Sequence, residues 1–245
     1  MKGARVAIVT GGGTGIGQAT SKRLADEYAV VVVYSRSADG ANNTVKAIVD
    51  RGGKACAMQA DISVESEVIK LFEVVKEQYG RVDVVVNNAG IGHLKPFQDI
   101  SMEEYDYIFN INTRGTFMMC REAARVMEDS GRIINVSTGA TKSNASGQAL
   151  YTASKIAVEG FTKVLARELG PRGIAVNVVS PGMTDTPMLE GGNPEKLRQY
   201  GAKAAAMQRC GEPEDIADAI AALVSDDCRW ITGENISVSG GTSIV

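Results

Sequence analysis

The sequence is poor in metal-binding and nucleophilic side chains: it has one histidine, His93, and only four cysteines in 245 residues. The cysteines, at positions 56, 120, 210 and 228, lack the short spacing of a metal knuckle or a redox motif. We therefore expect no metal site and regard a histidine-based nucleophilic triad as a weak hypothesis. The cysteines are expected to be reduced thiols of an intracellular protein.

The sequence also lacks a large excess of either charge, and it lacks long apolar runs. The formal net charge is −3, and acidic and basic residues are interspersed, so we expect no nucleic-acid partner and no membrane partner. Fully apolar runs such as residues 29–34 are far shorter than the roughly 20 residues that span a bilayer. No signal peptide precedes the first strand-like segment, and the expected localisation is cytoplasmic.

Short β-branched runs alternate with stretches of helical periodicity, which predicts parallel strands joined by right-handed crossovers. Nearly unbroken apolar character indicates strands buried on both faces. Strands are predicted at residues 6–9, 30–33, 82–86, 132–136 and 174–179, and more weakly at 55–59 and 234–238. Helices are predicted at residues 16–28, 41–51, 65–79, 103–127, 151–169 and 213–225. We expect an α/β fold in which residues 1–245 form a single doubly wound Rossmann domain, with about seven parallel strands in the order 3-2-1-4-5-6-7 and helices on both faces.

The least patterned stretch runs from residue 181 to residue 210 and is rich in Gly, Pro, Met and Lys. A long irregular segment inside a compact domain is usually functional. We predict a substrate lid at about residues 183–210; the alternative is a disordered surface insertion.

A glycine-rich turn, T-G-G-G-T-G-I-G at residues 10–17, joins the first predicted strand to the first helix. Glycines allow close approach to a pyrophosphate, and a helix N-terminus offers free N–H groups and the positive end of the dipole. This position in a βαβ unit predicts a dinucleotide site rather than a plain turn. The expected contacts are Gly11, Gly13, Thr14, Gly15, Ile16 and Gly17.

The end of the second strand bears on the choice of cofactor. An acidic residue there would select NAD through the ribose 2′-hydroxyl, whereas this chain has Ser35, Arg36 and Ser37. A guanidinium can bind a 2′-phosphate bidentately and stack beneath adenine, and both serines add hydroxyl donors. We expect NADP(H) rather than NAD(H); the alternative is that Arg36 is a solvated loop charge.

Tyr151 and Lys155 lie four residues apart at the start of a predicted helix and so share one helical face. Hydride transfer to a ketone leaves an alkoxide, which needs a nearby proton donor. The pKa of a free tyrosine is about 10, and an adjacent ammonium would lower it by favouring the phenolate. The pair predicts an acid and its assisting cation, although the spacing alone also fits an exposed helical contact.

Three motifs together carry a family resemblance: T-G-x-x-x-G-x-G at residues 10–17, N-N-A-G at 87–90 and Y-x-x-x-K at 151–155. With them the whole chain resembles the short-chain dehydrogenase/reductase family. The resemblance implies an oxidoreductase that acts on CH–OH groups with NAD(P). Many NADPH-using members carry a second basic residue in the glycine-rich turn, where this chain has Thr14.

The resemblance also implies cofactor contacts. Asp61 would accept a hydrogen bond from the adenine amino group, Asn88 to Gly90 would pass close to the adenosine ribose, and Thr186 would anchor the nicotinamide carboxamide. N-N-A-G could alternatively be only a turn that ends a strand. The remaining expected cofactor residues are Ile62, Ala89, Tyr151, Lys155, Pro181, Gly182 and Thr184.

Two more catalytic residues are implied besides Tyr151 and Lys155. The family has a serine thirteen residues before the tyrosine, and here that position is Thr138, which we expect to polarise the carbonyl; a loop shifted by one residue would give this role to Ser137. Asn112 matches the family's helix-kink asparagine, which would organise a water chain to the lysine, and Asn110 is its rival.

The expected substrate pocket is formed by loop residues, with His93 either lining the pocket or lying on a surface loop. The predicted pocket residues are His93, Ser137, Gly139, Ala140, Leu150, Met183 and Met188. We expect an NADP(H)-dependent carbonyl reductase or alcohol dehydrogenase acting on a small or medium ketone or secondary alcohol. The alternatives are a 3-oxoacyl-[acyl-carrier-protein] reductase, an NAD-dependent sugar or polyol dehydrogenase, and a non-catalytic redox sensor.

Two further expectations concern partners. A reductase for an acidic carrier protein should present Arg or Lys beside the pocket, yet residues 127–130 are acidic and only Arg172 remains nearby. The family commonly forms tetramers, so a homotetramer is expected through the helices at 103–127 and 151–169, the C-terminal strand and the tail at 240–245.

Overall fold

The computed structural model describes residues 3–143, 145–191 and 193–242. Its strands are β1 (Val6–Thr10), β2 (Ala29–Tyr34), β3 (Lys54–Gln59), β4 (Val84–Asn87), β5 (Arg132–Val136), β6 (Ala175–Pro181) and β7 (Asn235–Val238). Within the described residues these seven strands form one parallel sheet in the order β3-β2-β1-β4-β5-β6-β7. The predicted fold class and strand order are confirmed.

Helices cover both faces of the sheet. They are α1 (Gly15–Leu24), α2 (Ala38–Val49), α3 (Glu65–Tyr79), α4 (Met102–Phe109), α5 (Thr116–Val126), α6 (Ala140–Ser143), α7 (Ala149–Leu169), α8 (Pro194–Ala204) and α9 (Pro213–Val224). Side chains alternate along β1, so that Val6 and Ile8 pack toward α3, α5 and α7 while Ala7 and Val9 pack toward α1, α2 and α9. Both apolar layers are buried, as expected for a doubly wound sheet.

The helix predicted at residues 103–127 is not continuous. A π-helical segment, Asn110–Gly115, separates α4 from α5. Gly115 permits this geometry, because a Cβ on it would lie only 2.8 Å from Cγ1 of the buried Ile62. Apolar spacing does not reveal a π segment, although such segments are frequent at functional sites.

The stretch predicted as irregular contains α8 and a short helical turn, Pro187–Gly191. Asn193 starts α8, because its Oδ1 accepts a hydrogen bond from the backbone N–H of Lys196 (3.0 Å). Gly201 is the only buried residue of α8, which explains why no apolar period predicted the helix. Residue 192 of the predicted lid lies outside the described residues.

The other differences are small. The four-residue α6 was not predicted, and the predicted strand at residues 82–86 begins two residues later, at Val84. Of the tail expected at the subunit interface, residues 243–245 lie outside the described part of the chain. Among the described residues, no helix is both long and apolar enough to cross a membrane.

Candidate active site

The loops that follow β1 and β4 are fastened to each other at the carboxyl edge of the sheet. The Thr10 hydroxyl accepts hydrogen bonds from the backbone N–H groups of Asn88 and Ala89, both at 3.0 Å. In return, Nδ2 of Asn88 donates to the carbonyls of Thr10 (3.0 Å) and Gly11 (3.3 Å). The N-N-A-G motif therefore does more than end a strand: it fixes the glycine-rich turn. Thr10 itself was not predicted as a site residue.

The glycine-rich turn leaves no room for side chains. Gly11 and Gly15 have φ angles of +63° and +49°, a region that favours glycine. A Cβ on Gly17 would lie 2.2 Å from the Gly11 carbonyl oxygen, and one on Gly13 would lie 2.8 Å from the backbone nitrogen of Ala41. Such a turn brings bare backbone to the start of α1, which is the arrangement that pyrophosphate binding requires.

A cleft of about 280 Å³ opens at this turn. Thr14 precedes α1 in an extended conformation, and its side chain does not cap the helix. Cγ2 of Thr186 lies 3.1 Å from the position that a Cβ on Gly15 would take. The cleft is lined by Gly13, Thr14, Gly15, Gln18, Ala19, Asp185, Pro187, Pro213 and Glu214. Thr186 thus lies beside the glycine-rich turn, and its contact with the nicotinamide carboxamide stays a prediction.

The residues before Thr186 connect β6 to this cleft. Pro181 is the last residue of β6, and the Gly182 N–H donates to the carbonyl of Val238 in β7 (2.9 Å). The hydroxyl of the buried Thr184 donates to the Gly182 carbonyl (3.0 Å). This side chain therefore stabilises the loop, and Thr186 is the residue that lies beside the glycines.

The ends of β2 and β3 form the expected adenosine end of the site. Arg36 is exposed, and within the described residues its guanidinium makes neither a hydrogen bond nor an ion pair. Ser35 Oγ lies 3.5 Å from Oδ2 of Asp61, and Ser37 Oγ packs against Gly40, 2.7 Å from where a Cβ would lie. The charge of Arg36 is thus available to a ligand.

Asp61 is held as a carboxylate. Its Oδ1 accepts hydrogen bonds from the backbone N–H (2.9 Å) and the hydroxyl (2.7 Å) of Ser63. The Ser63 hydroxyl is the main cause of a lowered pKa of Asp61, and Ser35 and Arg36 act in the same direction. The neighbouring Ile62 packs its side chain against Gly115, so only its backbone is suited to the expected cofactor contact.

Lys155 is almost completely buried beside the end of β5. Its Nζ donates to the Val136 carbonyl (2.9 Å) and lies 3.1 Å from the position of a Cβ on Gly90. Burial lowers the pKa of Lys155 to about 8. Lys155 therefore lies beside the N-N-A-G loop, as the dinucleotide site requires.

The phenol of Tyr151 lies close to the Thr138 hydroxyl, which acts on the pKa of the phenol as a hydrogen-bonding neighbour. Burial raises the pKa of Tyr151, and the bond to Thr138 offsets this only in part. The pKa of Tyr151 is therefore raised, whereas we expected Lys155 to lower it. The expectation was wrong because desolvation of the phenol has a larger effect on its pKa than the contact with Thr138, and because the ammonium of Lys155 donates to the Val136 carbonyl instead.

Ser137 and Thr138 have different partners. Ser137 is buried, and its Oγ donates to Oε1 of Glu159 (2.6 Å). Thr138 is half-buried, accepts a hydrogen bond from the Ala140 N–H (3.2 Å) and contacts Tyr151. The structure thus brings the Thr138 hydroxyl, and not that of Ser137, to the tyrosine.

Asn112 lies in the π-helical segment and is fully buried. Its Oδ1 accepts from the Ile91 N–H (2.9 Å), and its Nδ2 donates to the Ile91 carbonyl (2.9 Å) and to Oγ of Ser154 (3.1 Å). Both donors of the amide are used in fastening the loop after β4 to α7. Asn110, the alternative candidate from the sequence, is only half-buried. Ser154, which contacts Asn112, and Glu159, which contacts Ser137, were not predicted as site residues.

One ring nitrogen of His93 lies near a carboxylate, and the other has no hydrogen-bond partner among the described residues. Its Nε2 lies 3.6 Å from Oε1 of Glu104, whose carboxylate also accepts two hydrogen bonds from Lys95. Its Nδ1 is buried and has no hydrogen-bond partner in the described part of the chain. The half-exposed Met188 lies beside the same loop, with Sδ 3.7 Å from the position of a Cβ on Gly92.

The other predicted pocket residues serve the framework of the loops. Leu150 is buried, and Met183 packs its Cγ against Gly201. The Gly139 N–H donates to the Pro181 carbonyl (2.7 Å). Gly139 thus ties the loop after β5 to the end of β6, and Met183 ties the loop after β6 to α8.

The class of protein that combines a parallel sheet in this order, a glycine turn at its first crossover and a tyrosine–lysine pair at the same edge of the sheet is a dinucleotide-dependent oxidoreductase. Residues 11–243 match a family model described as enoyl-(acyl carrier protein) reductase. The chain belongs to the short-chain dehydrogenase/reductase family and is an oxidoreductase that acts on carbonyl or CH–OH groups with NAD(P).

The similarity extends over nearly the full length of the relatives. The chain is 41% identical to an uncharacterized oxidoreductase of Methylorubrum extorquens, covering 97% of each protein. It is 38% identical to a 3-oxoacyl-[acyl-carrier-protein] reductase of Synechocystis, covering 97% of this chain and 96% of that protein. A short-chain dehydrogenase from Burkholderia cenocepacia, solved in complex with NADP, superposes with a TM-score of 0.91 at 37% identity, covering 99% of both chains.

Proposed function

We propose that this protein is an NADP(H)-dependent carbonyl reductase that interconverts a small or medium ketone and its secondary alcohol. The observation that carries the proposal is the contact between the Tyr151 and Thr138 hydroxyls, with the buried Lys155 one helical turn from Tyr151. This contact supports the proposal because one carbonyl oxygen could bind to both hydroxyls. The bound nicotinamide supplies or accepts the hydride.

Each catalytic side chain has a separate role in the reduction. Tyr151 donates its phenolic proton to the oxygen as negative charge develops there. The Thr138 hydroxyl donates to the same oxygen and orients the carbonyl. Lys155 adds a positive charge close to the expected ribose position, and Asn112 fixes the loop after β4 through its bonds to Ile91.

The preference for NADP(H) is proposed from Arg36. Its guanidinium is exposed and forms neither a hydrogen bond nor an ion pair with the described residues, so a 2′-phosphate can bind it without breaking such a bond. Ser35 and Ser37 flank it on the same loop. The NADP complex of the Burkholderia relative supports this choice.

The sequence led us to expect Arg172 beside the pocket, but it does not lie beside the catalytic residues. It precedes β6 and donates to Oδ1 of Asp129 just before β5 (2.9 Å) and to the carbonyls of Ala124 and Met127, whereas Thr138 follows the carboxyl end of β5. An acidic carrier protein at the pocket would need a cation other than Arg172, which makes it the less favoured partner. The Synechocystis relative keeps 3-oxoacyl-[acyl-carrier-protein] reduction as the second candidate.

We also propose a cytoplasmic homotetramer in which the segment at residues 183–210 acts as the substrate lid. Apolar side chains on α5 and α7 support the subunit contacts: Phe117, Ile156 and Val164 are each about half exposed. Solvent-exposed apolar groups on two adjacent helices are typical of an interface. A monomer by light scattering at micromolar concentration would contradict the tetramer.

The test is a panel of ketones, sugars and acyl carrier protein thioesters assayed with NADPH and with NADH. We expect ketone reduction with NADPH, and a Tyr151→Phe variant that binds NADPH normally but has lost turnover. Equal or better use of NADH with a sugar or polyol would favour the NAD-dependent dehydrogenase. Full turnover by Tyr151→Phe would remove the catalytic role of the tyrosine.

A further inference from the structure

Three consecutive residues at the end of β5 are each bonded to α7. The Val136 carbonyl accepts from Nζ of Lys155 (2.9 Å), and Ser137 Oγ donates to Oε1 of Glu159 (2.6 Å). The next hydroxyl along the chain, that of Thr138, contacts the phenol of Tyr151. The two elements that carry the reaction chemistry therefore meet along a short, continuous seam.

On α7, the three partners are spaced four residues apart. Positions 151, 155 and 159 fall on one face of a helix. Tyr151 and Lys155 have assigned roles in the proposed reaction, whereas Glu159 has none. Glu159 lies on the same face one turn beyond Lys155, so its carboxylate is close to the residues of the proposed reaction.

The bond between Ser137 and Glu159 has the length of a charge-assisted hydrogen bond. Ser137 is 4% exposed, so water competes weakly for its hydroxyl. Among the described residues Glu159 forms no ion pair, and Ser137 is the partner that its carboxylate oxygen accepts from. The bond is therefore well suited to hold one loop residue in place.

The loop that carries Ser137 is held on its other side by β6. The backbone N–H of Ser137 donates to the Val179 carbonyl (2.8 Å), and that of Gly139 donates to the Pro181 carbonyl (2.7 Å). Thr138 lies between these two anchors, and its own N–H is not among the bonds to β6. On the side that faces α7, the side chain of Ser137 is the anchor next to Thr138.

We propose that Glu159 is a positioning residue, which holds Ser137 and thereby keeps the Thr138 hydroxyl against Tyr151. This inference rests on the proposed reductase activity and adds to it a residue that touches neither substrate nor cofactor. It also gives Ser137 a role other than the substrate contact considered from the sequence. Displacement of a reacting group by about 1 Å can cost about 100-fold in rate.

The test compares Glu159→Leu, Glu159→Gln and Ser137→Ala with the wild type. We expect kcat to fall by about 10- to 100-fold in Glu159→Leu and Ser137→Ala, with the KM for NADPH unchanged, since the dinucleotide end is not altered. Glu159→Gln keeps an oxygen that accepts from Ser137 and should restore kcat to within about threefold. Glu168→Leu is the matched control, because Glu168 is exposed on the same helix and its loss should leave kcat unchanged.

A Thr138→Ala background separates positioning from a general structural defect. Once the Thr138 hydroxyl is gone, Glu159→Leu has nothing left to displace and should lower kcat by less than about twofold further. A full additional 10-fold loss in this background, or no loss of kcat in Glu159→Leu with Thr138 present, would overturn the proposal. Unfolding of each variant by urea shows that the compared proteins are folded.

A measurement without turnover keeps this inference separate from the proposed function. In protein labelled with ¹³C at the tyrosine ring Cζ, the Tyr151 signal is assigned by its loss in Tyr151→Phe. The bond from Thr138 lowers the Tyr151 pKa, so Glu159→Leu should raise that pKa while Glu159→Gln and Glu168→Leu should not. An unchanged titration in Glu159→Leu would overturn the role of Glu159 even if no substrate is ever found; a raised pKa would support it.

Discussion

Replacing Gly17 with alanine tests the glycine-rich turn most directly. The new Cβ would lie 2.2 Å from the Gly11 carbonyl oxygen and 2.4 Å from Nδ2 of Asn88. Contacts this short force the turn and Asn88 apart, which breaks the hydrogen bonds of Asn88 to Thr10 and Gly11. At about 1 kcal/mol for each bond and about 1–3 kcal/mol for overpacking, the free energy of unfolding should fall by roughly 3–5 kcal/mol.

The matched control is Gly170→Ala at the end of α7, where a Cβ would meet nothing within 4 Å. The φ angle of Gly170 is −53°, which suits other residues as well, so this variant should keep the wild-type free energy of unfolding to within about 1 kcal/mol. Urea denaturation measures both free energies, and quenching of protein fluorescence by NADPH measures binding, which Gly17→Ala should weaken at least 10-fold. Wild-type stability and wild-type NADPH affinity in Gly17→Ala would refute the steric argument.

Three further substitutions have distinct expected outcomes. Arg36→Leu should raise the KM for NADPH by about 10- to 100-fold with little effect on that for NADH, since charge-assisted bonds are worth about 1.5–3 kcal/mol; equal changes for both cofactors would contradict a 2′-phosphate contact. Thr138→Ser should keep kcat within about threefold, whereas Thr138→Ala should lower it by about 100-fold, as expected for loss of an oxyanion donor; stopped-flow hydride transfer distinguishes them. Burial lowers the pKa of Lys155 from 10.5 to about 8, so the unfolded chain binds its proton more tightly. The free energy of unfolding should then rise between pH 8 and 10.5 by up to about 1.4 kcal/mol per pH unit more in the wild type than in Lys155→Met; parallel pH profiles of the two proteins would argue against the shift.

The fold could be predicted because its signals are local and repeat along the chain. Apolar runs such as Val30 to Val33 are buried on both faces, and a strand of that kind needs helices on both sides of its sheet. The segments that escaped prediction have other causes. The π-helical Asn110–Gly115 depends on the fit of Gly115 against Ile62, and α8 lacks an apolar stripe because it lies on the surface.

The candidate site could be predicted where residue type and spacing determine chemistry, as for Tyr151, Lys155 and the glycines. Choices between neighbours could not be made in this way, because Ser137 and Thr138 carry the same hydroxyl. Only the tertiary structure shows that the Ser137 hydroxyl contacts Glu159 and the Thr138 hydroxyl contacts Tyr151. The same limit applies to His93, whose contact with Glu104 joins a loop to a helix eleven residues away.

The pKa shifts bear on the protonation state of the site. Tyr151 is protonated at neutral pH, since burial raises its pKa further from the ordinary value of 10.0, and the protonated phenol is the state that donates to a developing alkoxide. Oxidation of an alcohol needs the phenolate, and the raised pKa makes that form scarcer. Lys155, with a pKa of about 8, still carries most of its charge at neutral pH and loses it as the solution becomes alkaline. Near neutrality the two side chains are therefore in the states that the proposed carbonyl reduction needs, whereas the relative concentrations of cofactor and substrate decide the net direction of the reaction.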